Sequence, residues 1–306
     1  MSQRLKKNVI AIMCIQLLLV GCSLMPGSKG LIAFETYRDG KAEVYTMDIN
    51  GENLVNITNN SAYDGTPNWD STGKLIAFTS ERTGNPEIFY LQLDDLETTQ
   101  VTDGGGFNVI PAWSPDGMRI LFSSNRTYFV RAEGGEFEVP ANTKLWTVDL
   151  DGGIPDRMTS VLGLDLYGDW SPDGTEIVYM SVRDDNPEIY IKRANGYEEN
   201  LTNNLALDLN PAWSPDGSKI AFMSDRDGNM EIYVMDLNDD NSLTNITKHP
   251  ANDGDPDWSP DGKQLVFTSD RDGNIEIYTI QMDGSSLRRL TDNPADDLHP
   301  QWQPNP

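Results

Sequence analysis

The segment WSPDGSKIAFMSDRDGNMEIYVMD, residues 213–236, decides the fold. After Trp213, Ser-Pro-Asp-Gly combines a proline that presets φ, an aspartate able to bond its own backbone and a glycine open to positive φ, so one segment ends there in a tight turn. KIAF (219–222) is an apolar run too short for a helix, SDRDGN (224–229) is a second turn, and EIYVMD (231–236) is a second strand-like run. A third turn, LNDDN at 237–241, leads to an outer segment ending in Ile-Thr at 246–247. Short strands punctuated by hairpin turns make an antiparallel four-stranded unit.

The same unit recurs along the chain. Tryptophans at 69, 113, 170, 213, 258 and 302 are separated by 44, 57, 43, 45 and 44 residues, a period that indicates a propeller rather than a helical solenoid. WSPDG stands at 113–117, 170–174, 213–217 and 258–262, and apolar strands LIAF (75–78), RILF (119–122), EIVY (176–179), KIAF (219–222) and QLVF (264–267) follow each turn. The chain opens with LIAF at 31–34 with no Trp strand before it, and closes on HPQW at 299–302 with only QPNP after it. The half-repeats are complementary, so the last strand is expected to complete the first blade and remove an exposed sheet edge. The expectation is an all-β, six-bladed β-propeller of four-stranded antiparallel blades over residues 30–306, closed by pairing of the N- and C-terminal strands.

Residues 1–21 read differently. Arg4, Lys6 and Lys7 precede an apolar run from Val9 to Val20, a secretory signal too short to span a bilayer comfortably. Leu19-Val20-Gly21-Cys22 resembles the bacterial lipobox, and the resemblance implies cleavage before Cys22 and its lipidation. Multiple acyl chains anchor stably where a single one does not. The expectation is an extracytoplasmic, membrane-anchored lipoprotein, on the periplasmic side of the outer membrane if two membranes are present. Residues 22–29 form a tether, at most roughly 26 Å long, to the propeller. Cys14 leaves with the signal, so no intramolecular disulfide is expected.

Composition excludes several functions. Without the signal, 20 Lys and Arg face 48 Asp and Glu, a net charge of −28 that repels phosphate backbones, so nucleic acid is not an expected partner. Two histidines, His249 and His299, and one remaining cysteine leave little for a zinc site. No Gly-x-Ser-x-Gly elbow occurs.

Two polar rings are expected on one face, that of the SDRDGN turns and the loops entering the Trp strands. Five residues before each Trp stand Asp64, Asn108, Asp165, Asp208, Asp253 and Asp297; four after the last aromatic of each apolar strand stand Arg38, Arg82, Arg126, Arg183, Arg226 and Arg271. The structural reading pairs them bidentately to lock the turns. The functional reading places the acidic ring at the channel mouth as a binding face for a basic partner segment or a divalent cation; no other cofactor and no resident metal is expected. The DRDGN turns carry glycine at the fourth position rather than the sixth and lack the bidentate glutamate of a calcium loop, so they read as hairpins. Between the second and third strands, five blades space their aromatics by 11 residues, but Phe122 and Trp146 are 24 apart. The extra residues, within 127–144, read as a β-hairpin turning at Gly134-Gly135 and carrying Tyr128, Phe129 and Phe137 as a partner-contacting loop.

The combination of PxWSPDG, apolar strand, SDRDGN, EIY and LT resembles the TolB-type propeller repeat over about residues 30 to 306. The resemblance implies the fold firmly and function weakly, since such repeats serve envelope scaffolds, carbohydrate-acting proteins and accessory domains of peptidases. TolB itself has a further domain before its propeller, which eight tether residues cannot replace, so a lone lipid-anchored propeller is expected. The leading expectation is a monomeric, non-catalytic envelope scaffold binding a protein or glycan. The alternative is a polysaccharide-acting hydrolase or lyase with carboxylates in the channel.

Cys22→Ser is expected to leave the protein unlipidated and released from membranes. Equal membrane retention of parent and variant on cell fractionation would refute the anchor.

Overall fold

The computed structural model describes residues 30–132, 135–139, 142–150, 153–159 and 163–305. Cys22 and the signal lie outside them. The described residues form six four-stranded antiparallel sheets and one two-stranded hairpin. Blade 5 shows the plan, with Asp208–Trp213 innermost, then Lys219–Ser224, Glu231–Asp236 and the outer Ser242–Asn245. The innermost strand of every blade is the one that ends in tryptophan, and these six strands neighbour one another around the axis.

The ring closes as the half-repeats require. Asp297–Trp302 pairs with Leu31–Thr36, joining Ile32 to Trp302 and Thr36 to Asp297, so blade 1 is built from both ends of the chain. Neighbouring blades are stitched at a repeated point. The backbone N–H of the residue five before each tryptophan donates to the carbonyl just before the third strand of the preceding blade: Asp64 to Ala42 (3.0 Å), Asn108 to Pro86 (2.9 Å), Asp165 to Thr143 (2.9 Å), Asp208 to Pro187 (3.0 Å), Asp253 to Met230 (2.9 Å) and Asp297 to Ile275 (2.9 Å).

The core lies between blades. Trp69 of blade 2 packs with Leu31, Ala33 and Val44 of blade 1, and Trp258 of blade 6 with Ala212, Ala221 and Val234 of blade 5. The aromatic side chains thus fill the wedge that opens between twisted sheets. The turns after the tryptophans are held by their own side chains. Asp116 accepts from Ser114 Oγ (2.6 Å) and Met118 N–H (3.0 Å), and Gly117 takes φ +69°. Ser171/Asp173, Ser214/Asp216 and Ser259/Asp261 repeat the arrangement. In the Asp39, Asp184, Asp227 and Asp272 turns a tyrosine hydroxyl donates to the aspartate, which gives these acids a hairpin role.

The insertion in blade 3 is a hairpin. Tyr128–Ala132 pairs with Gly135–Val139, and it leaves from the face of the SDRDGN turns. Gly134 and the side chains of Tyr128, Phe129 and Phe137 lie outside the described part.

Deleting residues 296–306 is expected to cost more than about 3 kcal/mol, because it removes a paired strand together with the Trp302 side chain. An unchanged melting temperature after truncation would show that ring closure does not depend on that strand.

Candidate functional site

The aspartate and arginine rings meet inside each blade. Arg38 donates through Nη2 to both carboxylate oxygens of Asp297 (3.0 and 3.1 Å), and Arg82 to both of Asp64 (3.1 and 3.0 Å). Arg183 reaches Asp165 (3.2 Å), Arg226 reaches Asp208 (2.8 Å), Arg271 reaches Asp253 (2.7 Å), and Arg126 donates to the Asn108 amide oxygen (2.8 Å). Each guanidinium also lies over two aromatic rings, as Arg226 does over Phe222 (5.4 Å) and Tyr233 (4.6 Å), and its Nε bonds a Ser or Thr hydroxyl. The five aspartates and Asn108 are 0% exposed. The acidic ring is therefore a buried brace and does not present carboxylates at a channel mouth. Charge reversal at Asp208 or Asp253 would probe folding before it probed recognition.

A different ring faces the axis. Three residues before each tryptophan stand Thr66, Ile110, Tyr167, Asn210, Asp255 and His299, with φ of +49°, +57°, +53°, +47°, +47° and +49°. Left-handed backbone at a non-glycine residue costs on the order of 1–3 kcal/mol and persists only where its surroundings impose it. Here a β-bulge imposes it, since the pairing of each inner strand with its neighbour shifts across this residue, as between Gly65 and Asn68 and between Gly254 and Asp257. Thr66 N–H donates to Glu35 Oε2 (3.1 Å) and Ile110 N–H to Thr79 Oγ1 (3.0 Å). A Cβ at Gly65 would lie 2.2 Å from Glu35 Oε2, so a larger residue there would displace the Glu35 carboxylate.

All six side chains line a cavity of about 280 Å³ together with Asn68, Asp169, Asp257 and Gln301. Its wall includes Trp69, Trp113, Trp258 and Trp302 and runs out to the exposed Pro215, so the cavity occupies the tryptophan end of the channel. That end is opposite the face expected from sequence. The acidic groups are organised. Asp255 accepts from Asn210 Nδ2 (2.5 Å) and pairs with His299 Nδ1 (3.4 Å). Burial works against both charges, yet Asp255 holds the His299 imidazole up to about 9, and His299 and Asn210 hold the Asp255 carboxyl below its ordinary range. Asp169 accepts Trp213 N–H (2.8 Å) and Asp257 accepts Trp302 N–H (2.6 Å), the part Asn68 plays for Trp113 (2.9 Å). Burial outweighs those bonds and raises Asp169 to about 6; burial and the nearby Asp169 raise Asp257 to about 7. Burial, then Asp255 and Glu35, raise the Tyr167 hydroxyl to about 12. Among the described residues, no three His, Cys, Asp or Glu side chains converge as metal ligands would.

The sequence rings account for the brace. They missed the lining, whose signal is the opposite of repetition: six different residue types at one fixed offset from tryptophan in an otherwise repeated motif.

Residues 19–131 and 124–306 match the TolB beta propeller domain. TolB from Acinetobacter baumannii is 24% identical over 93% of this chain and 69% of its own, with a TM-score of 0.77. A putative TolB from Agrobacterium tumefaciens is 25% identical over 91% of this chain and 99% of its own, with a TM-score of 0.67. The oligogalacturonate lyase of Vibrio parahaemolyticus, 13% identical over 86% of this chain and 74% of its own, has a TM-score of 0.56 and is alike in fold. A search of curated proteins by sequence found no match.

Asp257→Asn is expected to stabilise the protein at pH 8 by about 1–3 kcal/mol and to do little at pH 4. A folded carboxyl raised above its unfolded value binds its proton more tightly in the native state. Its ionisation therefore costs stability as pH rises from about 4 through about 7. The amide keeps the bond to Trp302 as Asn68 does to Trp113. Urea unfolding of both proteins at the two pH values checks this; equal stability changes at both would contradict the titration.

Proposed function

The chain belongs to the TolB beta propeller family, and on that footing we propose that it is a lipid-anchored cell-envelope scaffold that binds a protein or glycan partner. The observation that carries this reading is the channel ring. The repeated polar positions are consumed by turns and braces, whereas the position three before each tryptophan is fixed in backbone and different in chemistry from blade to blade. A rigid frame presenting a unique set of side chains is what a recognition site requires.

The cavity is at the small end of the range for ligand sites, so it suits one side chain, a chain terminus or a single sugar ring of a larger partner. Asp169, Asp255 and Asp257 face one imidazole, which favours a neutral polar or positively charged group. Leu31 starts beside Trp302, at the tryptophan end. A tether of roughly 26 Å therefore keeps the cavity mouth near the headgroups and turns the blade 3 hairpin toward the aqueous side. The hairpin would then supply a second, independent contact to a macromolecular partner.

One observation favours an enzyme. Asp257 at about 7 is a carboxyl able to donate a proton near neutrality, with Asp169 beside it. On that reading the chain acts on a polysaccharide through these two acids.

Capture from membranes with the lipidated parent should yield a partner. Replacing residues 128–140 by an Asp-Gly turn, or Tyr167→Ala with His299→Gln, should weaken its binding tenfold or more while the fold is retained. Parent-like affinity in both folded variants would remove the recognition reading. Cleavage of an envelope polysaccharide by the parent, lost in Asp257→Asn, would favour the enzyme instead.

A further inference from the structure

The direction of the strands sorts the turns onto two faces. Each inner strand ends in tryptophan, so the turn after it and the turn between the third and fourth strands lie at the tryptophan end. The remaining turns lie on the opposite face. Exposed apolar surface follows this division. Among the described residues twelve large apolar side chains are exposed, and eight of them stand in tryptophan-end turns or beside them. Single exposed apolar residues need no explanation, whereas a set that recurs at one place does.

The recurrence falls at the turn that leads to the outer strand. Leu54, Leu96, Ile154, Tyr197, Leu243 and Leu287, one from each blade, all stand within two residues of the start of that strand. Their exposures run from 39% for Leu96 to 93% for Ile154. The outer strand is the rim of each blade, so these six residues form a circle around the mouth of the channel cavity. The four exposed apolar residues of the opposite face belong to three blades and make no such circle.

The amino-terminal end of the propeller starts from the same circle. Leu31 N–H donates to Gln303 Oε1 (3.1 Å), and a Cβ at Gly30 would lie 2.9 Å from Cγ2 of Ile49, which is itself exposed in the blade 1 turn. Residues 22–29 reach at most roughly 26 Å from there. A lipid on Cys22 would hold this face within that distance of a bilayer. Contact with the surface is then intramolecular, so shallow contacts suffice where a free protein would need more.

The turns also select the lipid. Asp94, Asp95 and Glu97 surround Leu96, and Asp236, Asp239 and Asp240 precede Leu243. Carboxylates at this density oppose an anionic surface and suit the ammonium groups of zwitterionic headgroups.

We propose that the tryptophan-end face docks on a zwitterionic lipid surface, with its six apolar turn residues entering the boundary between headgroups and acyl chains. Interfacial binding grows with the apolar area buried, and Tyr197 can bury its ring while its hydroxyl stays among the headgroups. The channel cavity then opens on the headgroup layer. This docking rests on the lipid anchor of the proposed function, and is independent of what the channel binds.

The lipidated full chain in vesicles of phosphatidylcholine and phosphatidylethanolamine tests this. Cleavage removes Cys14 and acylation consumes the Cys22 thiol, so Leu287→Cys, Tyr197→Cys and, on the opposite face, Leu205→Cys each give one reactive thiol for a nitrobenzoxadiazole label. Phosphatidylcholine with a doxyl group near the top of its acyl chain should quench the label at 287 and at 197 at least threefold more than at 205. Exchanging part of the zwitterionic lipid for phosphatidylglycerol should weaken this quenching at low salt, and high salt should restore it. Leu54→Ser with Tyr197→Ser, both at exposed positions, should fold as the parent does and reduce quenching at 287. Mass spectrometry separates the two premises. A Cys22 without lipid overturns the anchor and the docking with it. A lipidated chain quenched equally at 205 and 287, or at neither, overturns the docking alone, as does stronger quenching on anionic vesicles. Shielding of the label at 287 in native membranes but not in lipid vesicles would give this face to a protein instead.

Discussion

An arginine clamped between two aromatic rings and a buried aspartate is the interaction on which this propeller depends. In each blade the guanidinium joins the turn between the second and third strands to the start of the inner strand, and in blade 1 it joins the two ends of the chain through Arg38 and Asp297. A carboxylate removed from water is tolerated only when paired and hydrogen-bonded, so losing the arginine would leave an uncompensated buried charge, costing about 3–5 kcal/mol. The same geometry fixes the backbone N–H of the inner residue against the preceding blade, so one cassette sets both the blade and its junction.

That rigidity supports strain elsewhere. Six inner strands carry a bulge at the same place, and at its centre a non-glycine residue holds a left-handed conformation, even the β-branched Ile110 and Thr66. Strand pairing on both sides of the bulge over-determines the backbone, which leaves the side chain free to vary. The result is a symmetric frame around an asymmetric lining. An Asp255–His299 ion pair, a tyrosine and two carboxyls of raised proton affinity share one small cavity.

Repetition also explains where the molecule is imperfect. Four blades satisfy both oxygens of the inner aspartate from within, by asparagine or by Lys144, and blade 6 satisfies one. Because the surrounding backbone bonds at His249 match those at the asparagines, the difference is confined to one side chain.

The repeating plan is readable in the residue order. Blade number, strand order and ring closure through Trp302 are legible in the repeated spacing, which also sets Arg226 and Asp208 on one face, with pairing as one of two readings. The hairpin at 127–144 was legible because it breaks that spacing. Which ring faces the axis depends on how the strands pair in three dimensions. Strict alternation puts the residues one, three and five before tryptophan on one side of the strand, but the register shift after Gly65 and its counterparts interrupts it. Asp64 and its equivalents therefore point into the blade, while His299, Asp255 and Tyr167 line the channel. A bulge is a property of two paired strands, so it leaves no trace in the spacing of either one.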